Sequence, residues 1–172
     1  MRELRRALVD CLCCERGFED RCAVLTETYD LGDVAAVEES TPRVTGDLDD
    51  RGMTLLGRIR RFDAGPLGIT LSGPAYRDNP LRYANEAFRD LTGYPLDELR
   101  GENPRLLQGP ATDPEAVATL RDAVDTWTEA TVELRNYRRD GTGFRNRVTV
   151  VPVPDESGTI AHWLGIQAAV DG

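Results

Sequence analysis

The last third of the chain constrains the fold most. Residues 129–138, 143–153 and 159–169 are three strand-like runs, separated by Asp140-Gly141 and Ser157-Gly158. Those dipeptides are tight-hairpin signals, so the three strands pair antiparallel with no crossover helix between them. Upstream, Gly68 to Ser72 reads as a strand ended by Gly73-Pro74 and Asp78-Asn79-Pro80. Leu81 to Ala84 is a short strand running into a helix that contains Phe88 and Leu91. Gly93, Pro95 and Gly101 chop the next stretch into short helical pieces. Thr112-Asp113-Pro114-Glu115 then combines an N-cap, a proline in the first turn and a capping box. The helix it opens has the apolar stripe Val117, Leu120, Val124 and Trp127, with Arg121 flanking it. Two strands, short helices, one longer helix and three hairpin strands predict an α+β domain with one antiparallel sheet.

The first third is organised differently. Residues 2–16 read as an amphipathic helix with Leu4, Ala7 or Leu8, Cys11 and Cys14 on one stripe. Arg16 in the last turn and Gly17 at C′ supply a stop signal. Residues 23–37 are ambiguous, and the Glu, Ser, Thr, Pro, Asp and Gly of 38–52 mark a linker. Asp49 or Asp50 caps a second helix striped with Leu55, Leu56, Ile59 and Phe62. The expected organisation is an N-terminal extension over 1–48, an amphipathic helix over 49–64 and a domain over 66–170.

Composition narrows the function classes. Among 172 residues the net charge is −9, and all 21 basic residues are Arg. An acidic surface argues against an electrostatic grip on nucleic acid or anionic lipid. Abundant Asp and Glu without Lys resembles the proteins of salt-loving organisms. No apolar run approaches the roughly 18 residues of a membrane span, and no signal-peptide core follows Met1. A cytoplasmic location is expected. Cys11, Cys13, Cys14 and Cys22 read as reduced, mostly buried small apolar residues, since the lone histidine, His162, is far away in sequence and no metal-ligand spacing appears.

Strand parity sorts the polar groups. Val132, Leu134 and Asn136 share one face of their strand; Asn146, Val148 and Val150 share one face of the next; Trp163, Gly165 and Gln167 share a face of the last. Two apolar faces thus carry one inward Asn each, and an unpaired buried amide costs roughly 1–3 kcal/mol. Gly165 leaves room for a flat group to approach the backbone. The run Gly101 to Gly109 adds Asn103, Arg105 and Gln108; on a helix, Asn103 and Leu107 lie four apart, Arg105 and Gln108 three apart. Amides both donate and accept, which suits the edge of a heteroaromatic ring. Arg105 and Arg121 suit a phosphate. The residues point to a cavity for a flat, phosphorylated heterocycle.

Residues 66 to 170 resemble a PAS domain of the flavin-binding LOV (light, oxygen, voltage) class. The resemblance rests on Asp78-Asn79-Pro80, Asn85 to Tyr94, Gly101 to Gly109, Thr112-Asp113-Pro114, Arg135-Asn136-Tyr137, Phe144-Arg145-Asn146 and Gly165-Ile166-Gln167. It implies the PAS/LOV fold, a five-stranded antiparallel sheet with short helices on one face, preceded here by an N-terminal helical extension. It also implies FMN as cofactor, with FAD disfavoured because no long insertion follows Gly109. Asn136 and Asn146 match the residues on the pyrimidine edge, and Gln167 the glutamine near the flavin N5. Asn103 and Gln108 match ring and ribityl contacts, Arg105 and Arg121 the phosphate clamp. Thr70, Asn79, Leu107, Val150 and Gly165 are further expected contacts.

One departure decides the chemistry. The family pattern is Gly-x-Asn-Cys-Arg-Phe-Leu-Gln-Gly, and its Cys forms an adduct with the excited flavin. This chain has Pro104 there, with Leu106 in place of Phe, and proline has no nucleophile. The expected alternative is photoreduction to a semiquinone, relayed by Gln167, with Trp163, Trp127, Tyr83, Tyr94 and Tyr137 as candidate donors. The competing expectation is a PAS interaction or dimerisation module without photochemistry, its flavin structural or absent. No catalytic acid/base pair is evident, so a sensor is expected before an enzyme. His162, Leu164 and Ile166 give the last strand a second apolar face, suited to cover by the helix at 50–63 or by a second copy. The expected partners are a homodimer mate, through that face and the N-terminal helix, and an unidentified signalling protein. The chain ends just after the last strand, as a short sensor or a fragment of a longer regulator.

Overall fold

The stripe through Leu4, Leu8 and Cys11 forms the helix α1 (Arg2–Cys13). The computed structural model describes residues 1–32 and 48–171, and α1 belongs to the first of two units, Met1–Pro66 and Leu67–Gly172. It ends before the stop signal at Arg16-Gly17, with Cys14 extended at ψ 143°. The cause is a guanidinium. Arg58 Nη1 donates to the carbonyls of Leu12 (2.9 Å) and Cys14 (2.6 Å), taking up groups that a helix C-terminus leaves open. Gly17, at φ 76°, instead opens α2 (Phe18–Tyr29). That helix starts inside a region the sequence pattern left unassigned, because it buries only Cys22 and Leu25 and shows no long apolar stripe. The rest of the ambiguous segment beyond residue 32, and the linker up to residue 47, lie outside the described residues.

Asp49 caps α3 (Asp50–Arg60), its Oδ1 accepting from Gly52 N at 2.7 Å. The helix buries Leu55, Leu56 and Ile59 as its pattern predicts, and α1 packs against both α2 and α3. Burial pushes the Cys11 thiol up to about 12, with the neighbouring Cys22 and Cys14 adding to the shift. It raises Cys22 as well. Both behave as small uncharged core residues, while Cys13 and Cys14 are half-buried.

In the second unit the elements run β1 (Gly68–Ser72), β2 (Leu81–Ala84), α4 (Glu86–Thr92), α5 (Leu96–Leu99), α6 (Pro114–Thr126), β3 (Ala130–Tyr137), β4 (Gly143–Pro154) and β5 (Ile160–Ala169). The strands form one antiparallel sheet in the order β2-β1-β5-β4-β3. Both hairpin glycines, Gly141 and Gly158, take positive φ (89° and 84°), as those turns require. Leu81, Ala84, Phe88, Leu99 and Leu107 form one core cluster under the short helices. Ala116 of α6 packs with Leu134 and Val148 in a second.

Three local expectations change. Residues 103–108 do not make an α-helix: Pro104–Leu107 is a single 3-10 turn, and Asn103 and Gln108 flank it in extended conformation. The side chain of Asn103 caps the turn by accepting from Arg105 N (2.8 Å). At the start of α6 the cap is Asp113, accepting from Glu115 N (2.9 Å). Thr112 instead ties the loop to β3, its hydroxyl donating to Arg135 O (2.6 Å) and accepting from Gly109 N (2.9 Å). Trp127 leaves the apolar stripe. The helix stops at Thr126, and the left-handed φ of 53° at residue 127 turns the indole outward, 65% exposed.

Asn85 joins α4 to the sheet. Its Oδ1 accepts from Phe88 N (3.0 Å), as a helix cap, and from Ile69 N (2.8 Å). Its Nδ2 donates to Leu67 O (3.0 Å), and the whole side chain is buried. Asn85→Ala strands three backbone groups at once. We expect unfolding free energy to fall by about 3 kcal/mol, read as a lower urea midpoint at unchanged slope.

Candidate functional site

Strand parity decides what faces the space between the sheet and α6. Leu134 and Asn136 of β3, Val148 and Val150 of β4, and Trp163, Gly165 and Gln167 of β5 line one cavity of about 350 Å³. Val117, Leu120, Arg121 and Val124 of α6 form the opposite side. The 3-10 turn contributes Pro104, Arg105 and Leu107, with Asn103 and Gln108 beside it. Thr70 and Asn79 line it too. A mostly apolar cavity of this size with a few convergent polar groups suits a small organic ligand. Every residue expected at the site from sequence therefore lies on this wall except Asn146, which sits behind it with no exposure.

Asn146 is nonetheless the centre of the polar network. The register places Asn136 opposite Phe144, and Val148 opposite Gln167. The three amides on β3, β4 and β5 are thus diagonal neighbours on one face. Asn146 Nδ2 donates to Asn136 Oδ1 and to Gln167 Oε1, both at 2.9 Å. Asn136 Nδ2 reaches Leu107 O at 3.3 Å, linking the row to the 3-10 turn. Both Asn146 donors are spent, while its buried Oδ1 meets no donor. A buried carbonyl-type acceptor without a partner is costly, and a ring N–H is the chemistry that suits it. The amides of Asn136 and Gln167 in the wall, with this acceptor directly behind them, fit the edge of a flavin-like ring.

At Gly165 the missing side chain leaves space that a neighbour on the sheet takes up. A Cβ there would meet Thr70 Oγ1 at 2.4 Å, so its bareness makes room for the side chain of the paired residue on β1. Gly109 is similarly obligatory, since a Cβ would strike the Tyr137 ring at 2.5 Å. That ring closes the loop after the 3-10 turn, its hydroxyl accepting from Ala111 N (3.0 Å).

The rim is where sequence reading was least complete. Arg105, expected to face a phosphate, pairs with the carboxylate of Asp78. Asn103 Nδ2 donates to Asp78 O (2.8 Å). Asp78 and Asn79 both take left-handed φ, 65° and 45°, which lets this turn present its groups to the 3-10 turn. Asp125 lines the cavity along with Arg121. Two carboxylates thus accompany the two guanidiniums at this wall. The signal for Asp78 is available in Asp78-Asn79-Pro80, which the sequence marks as a turn and as part of the LOV resemblance without giving Asp78 a partner. On the other face of the sheet, Arg147 and Arg145 flank Glu133, and Arg147 holds that carboxyl below its ordinary value. No cysteine lies in the cavity wall, because all four precede residue 23.

The PAS domain family matches residues 67–168. The chain is 36% identical over 154 residues to the bacterioopsin transcriptional activator of Halobacterium salinarum, covering 88% of this chain and 23% of that protein. It is 37% identical over 112 residues to a blue-light photoreceptor of Listeria monocytogenes, covering 65% and 44%. Among solved structures, the LOV domain of an Erythrobacter litoralis blue-light activated histidine kinase matches with a TM-score of 0.59 at 36% identity. That match covers 62% of this chain and 98% of the other. The chain spans less than half the length of these two curated relatives. With the antiparallel five-stranded sheet and the cavity it walls as the structural counterpart, the chain belongs to the PAS domain family, and its relatives include the LOV domains of blue-light photoreceptors.

Proposed function

We propose that residues 67–168 hold FMN in the cavity and sense blue light or redox state by one-electron photoreduction, without a cysteine adduct. The observation that carries this reading is the buried Oδ1 of Asn146, without a donor in the middle of a hydrogen-bonded row of amides, two of which line the cavity. A bound flavin supplies a blue-light chromophore and a one-electron acceptor. Around it, Asn136, Asn146 and Gln167 offer amides to the ring edge. Leu134, Val148 and Val150 of the sheet and Val117 and Leu120 of α6 exclude water. Arg105 and Arg121 hold the phosphate through charge-assisted bonds, and Asn103 and Gln108 serve the ring and the ribityl chain. Thr70, Asn79, Leu107 and Gly165 complete the contacts.

Gln167 is the relay in this reading. Its Oε1 accepts from Asn146 Nδ2. Were a bound ring to change from hydrogen-bond acceptor to donor, Gln167 would follow by turning its amide, and Nε2 would then face the Asn146 amino group. Two donors cannot bond, so the β4–β5 amide link breaks and the change passes into the sheet. The names of the relatives support a sensory output: one is a photoreceptor and one a transcriptional activator. We assign this chain the sensing half of such a system, with signalling through a homodimer or a downstream protein. A PAS interaction or dimerisation module without photochemistry, its flavin structural or absent, is the second reading, favoured by the Asp78 carboxylate already paired with Arg105.

The decisive experiment is an absorption spectrum of the purified protein in the dark and under blue light with a mild reductant. A structured flavin band that bleaches, together with an electron-spin signal, is the expected result. Absence of a flavin band after FMN is added overturns the flavin reading and leaves the interaction module. Pro104→Cys places a thiol at the position the family uses for its adduct. We expect this variant to bleach in light without a reductant and to recover in the dark, followed by the same spectra. Arg121→Gln removes one phosphate contact. FMN affinity should fall about tenfold or more while riboflavin affinity changes little, as read by fluorescence titration.

A further inference from the structure

The proposed photoreduction needs an electron donor, and five aromatic side chains qualified on sequence alone. Electron transfer to an excited acceptor weakens steeply with distance, so the donor must stand in or against the cavity wall. Tyr83 is buried on β2 but does not line the cavity. Tyr94 packs against the cluster of Leu81, Phe88 and Leu99. Tyr137 covers Gly109 from outside the wall. Trp127 is 65% exposed beyond the end of α6. Trp163 lies in the wall itself and is 4% exposed. Among the described residues it is the only aromatic side chain there, and no Cys, Met or His accompanies it. Every other lining side chain is aliphatic, an amide, a hydroxyl, a carboxylate or a guanidinium, none of which gives up an electron readily.

A second observation concerns the proton. Trp163 Nε1 is buried with no hydrogen-bond acceptor, whereas buried indole N–H groups ordinarily find one. An oxidised indole is a strong N–H acid, and here no base stands within reach to take the proton.

We propose that Trp163 is the electron donor to the light-excited flavin in this protein. The inference rests on the flavin reading above. One electron leaves the indole π system and enters the excited ring; no bond forms or breaks. The indole becomes a radical cation and keeps its N–H proton, because Nε1 has no acceptor. The pair persists until the electron returns, or until a soluble thiolate gives one electron to the indole radical cation, becoming a thiyl radical and leaving an intact Trp163 beside the one-electron-reduced ring. The lifetime of the lit state is therefore set at Trp163, not at a thioether bond.

Trp127→Phe leaves Trp163 as the sole tryptophan of the chain, without disturbing the cavity wall. In this variant loaded with FMN, a blue flash should produce the transient absorption of an indole radical cation in step with loss of flavin emission. A flavin-loaded variant that shows no indole radical overturns the assignment of Trp163 and leaves the flavin reading standing. Failure of both the parent protein and the variant to take up FMN overturns both together. Trp163→Phe should lengthen the flavin fluorescence lifetime severalfold, and Trp163→Tyr should restore part of the quenching, because the effect follows the ease of oxidation of the ring. Equal lifetimes in loaded Phe, Tyr and parent proteins overturn the proposal.

Discussion

Three amides hold the sheet face that everything else surrounds. Asn136, Asn146 and Gln167 are buried on adjacent strands, where apolar residues would pack without polar cost. Their mutual bonds at 2.9 Å satisfy two acceptors with one amino group. A row of this kind is tolerable only if each member keeps its place, since one misplaced amide leaves several buried groups without partners. Hence the register of β3, β4 and β5 is fixed twice, once by the hairpin turns and once by the side chains. The link from Asn136 to Leu107 O extends that constraint to the 3-10 turn.

The strands of the second unit were legible because period-two patterning and glycine turns act locally. The inward direction of Asn136, Asn146, Gln167 and Trp163 followed from parity alone, and the sheet confirms it for each. Helix starts were legible for the same reason, α3 to within one residue at Asp49, while the cap of α6 moved from Thr112 to Asp113 because Thr112 is drawn to β3. What escaped were interactions between groups distant in sequence. The end of α1 is set by Arg58, 44 positions from Cys14, so Arg16 and Gly17 signalled a stop that the chain did not use. The partner of Arg105 is Asp78, 27 positions away, and neither residue announces the other. Trp127 was misplaced because the stripe continued through a position where the helix had already ended.

Arginine has a wider part than charge in this protein, which has no lysine. Arg58 closes a helix by donating to two carbonyls and lies over the Phe18 ring at 4.9 Å. Arg139 makes a two-pronged contact with Glu98 at 2.8 and 2.7 Å. A forked, planar donor performs such tasks where an ammonium would offer a single point of contact. The two units thus lean on the same residue for different work: helix termination in one, cross-loop pairing in the other.

The turn at Asp78-Asn79 carries a consequence for how anything gains access to the interior. Two successive non-glycine residues in left-handed conformation store roughly 1–3 kcal/mol each; local bonds to Gly73, Pro74 and Ala75 hold them within the turn, and the bonds from Asn103 and Arg105 tie the turn to the 3-10 segment. Those bonds are exposed, and exposed ion pairs contribute little and weaken with salt. The sheet, held by continuous ladders and buried amides, opens only at high cost. The turn at 77–79 is closed by local backbone bonds to Pro74 and Ala75, so salt that weakens the Arg105–Asp78 pair loosens the rim of the cavity before it touches the amide row at the back.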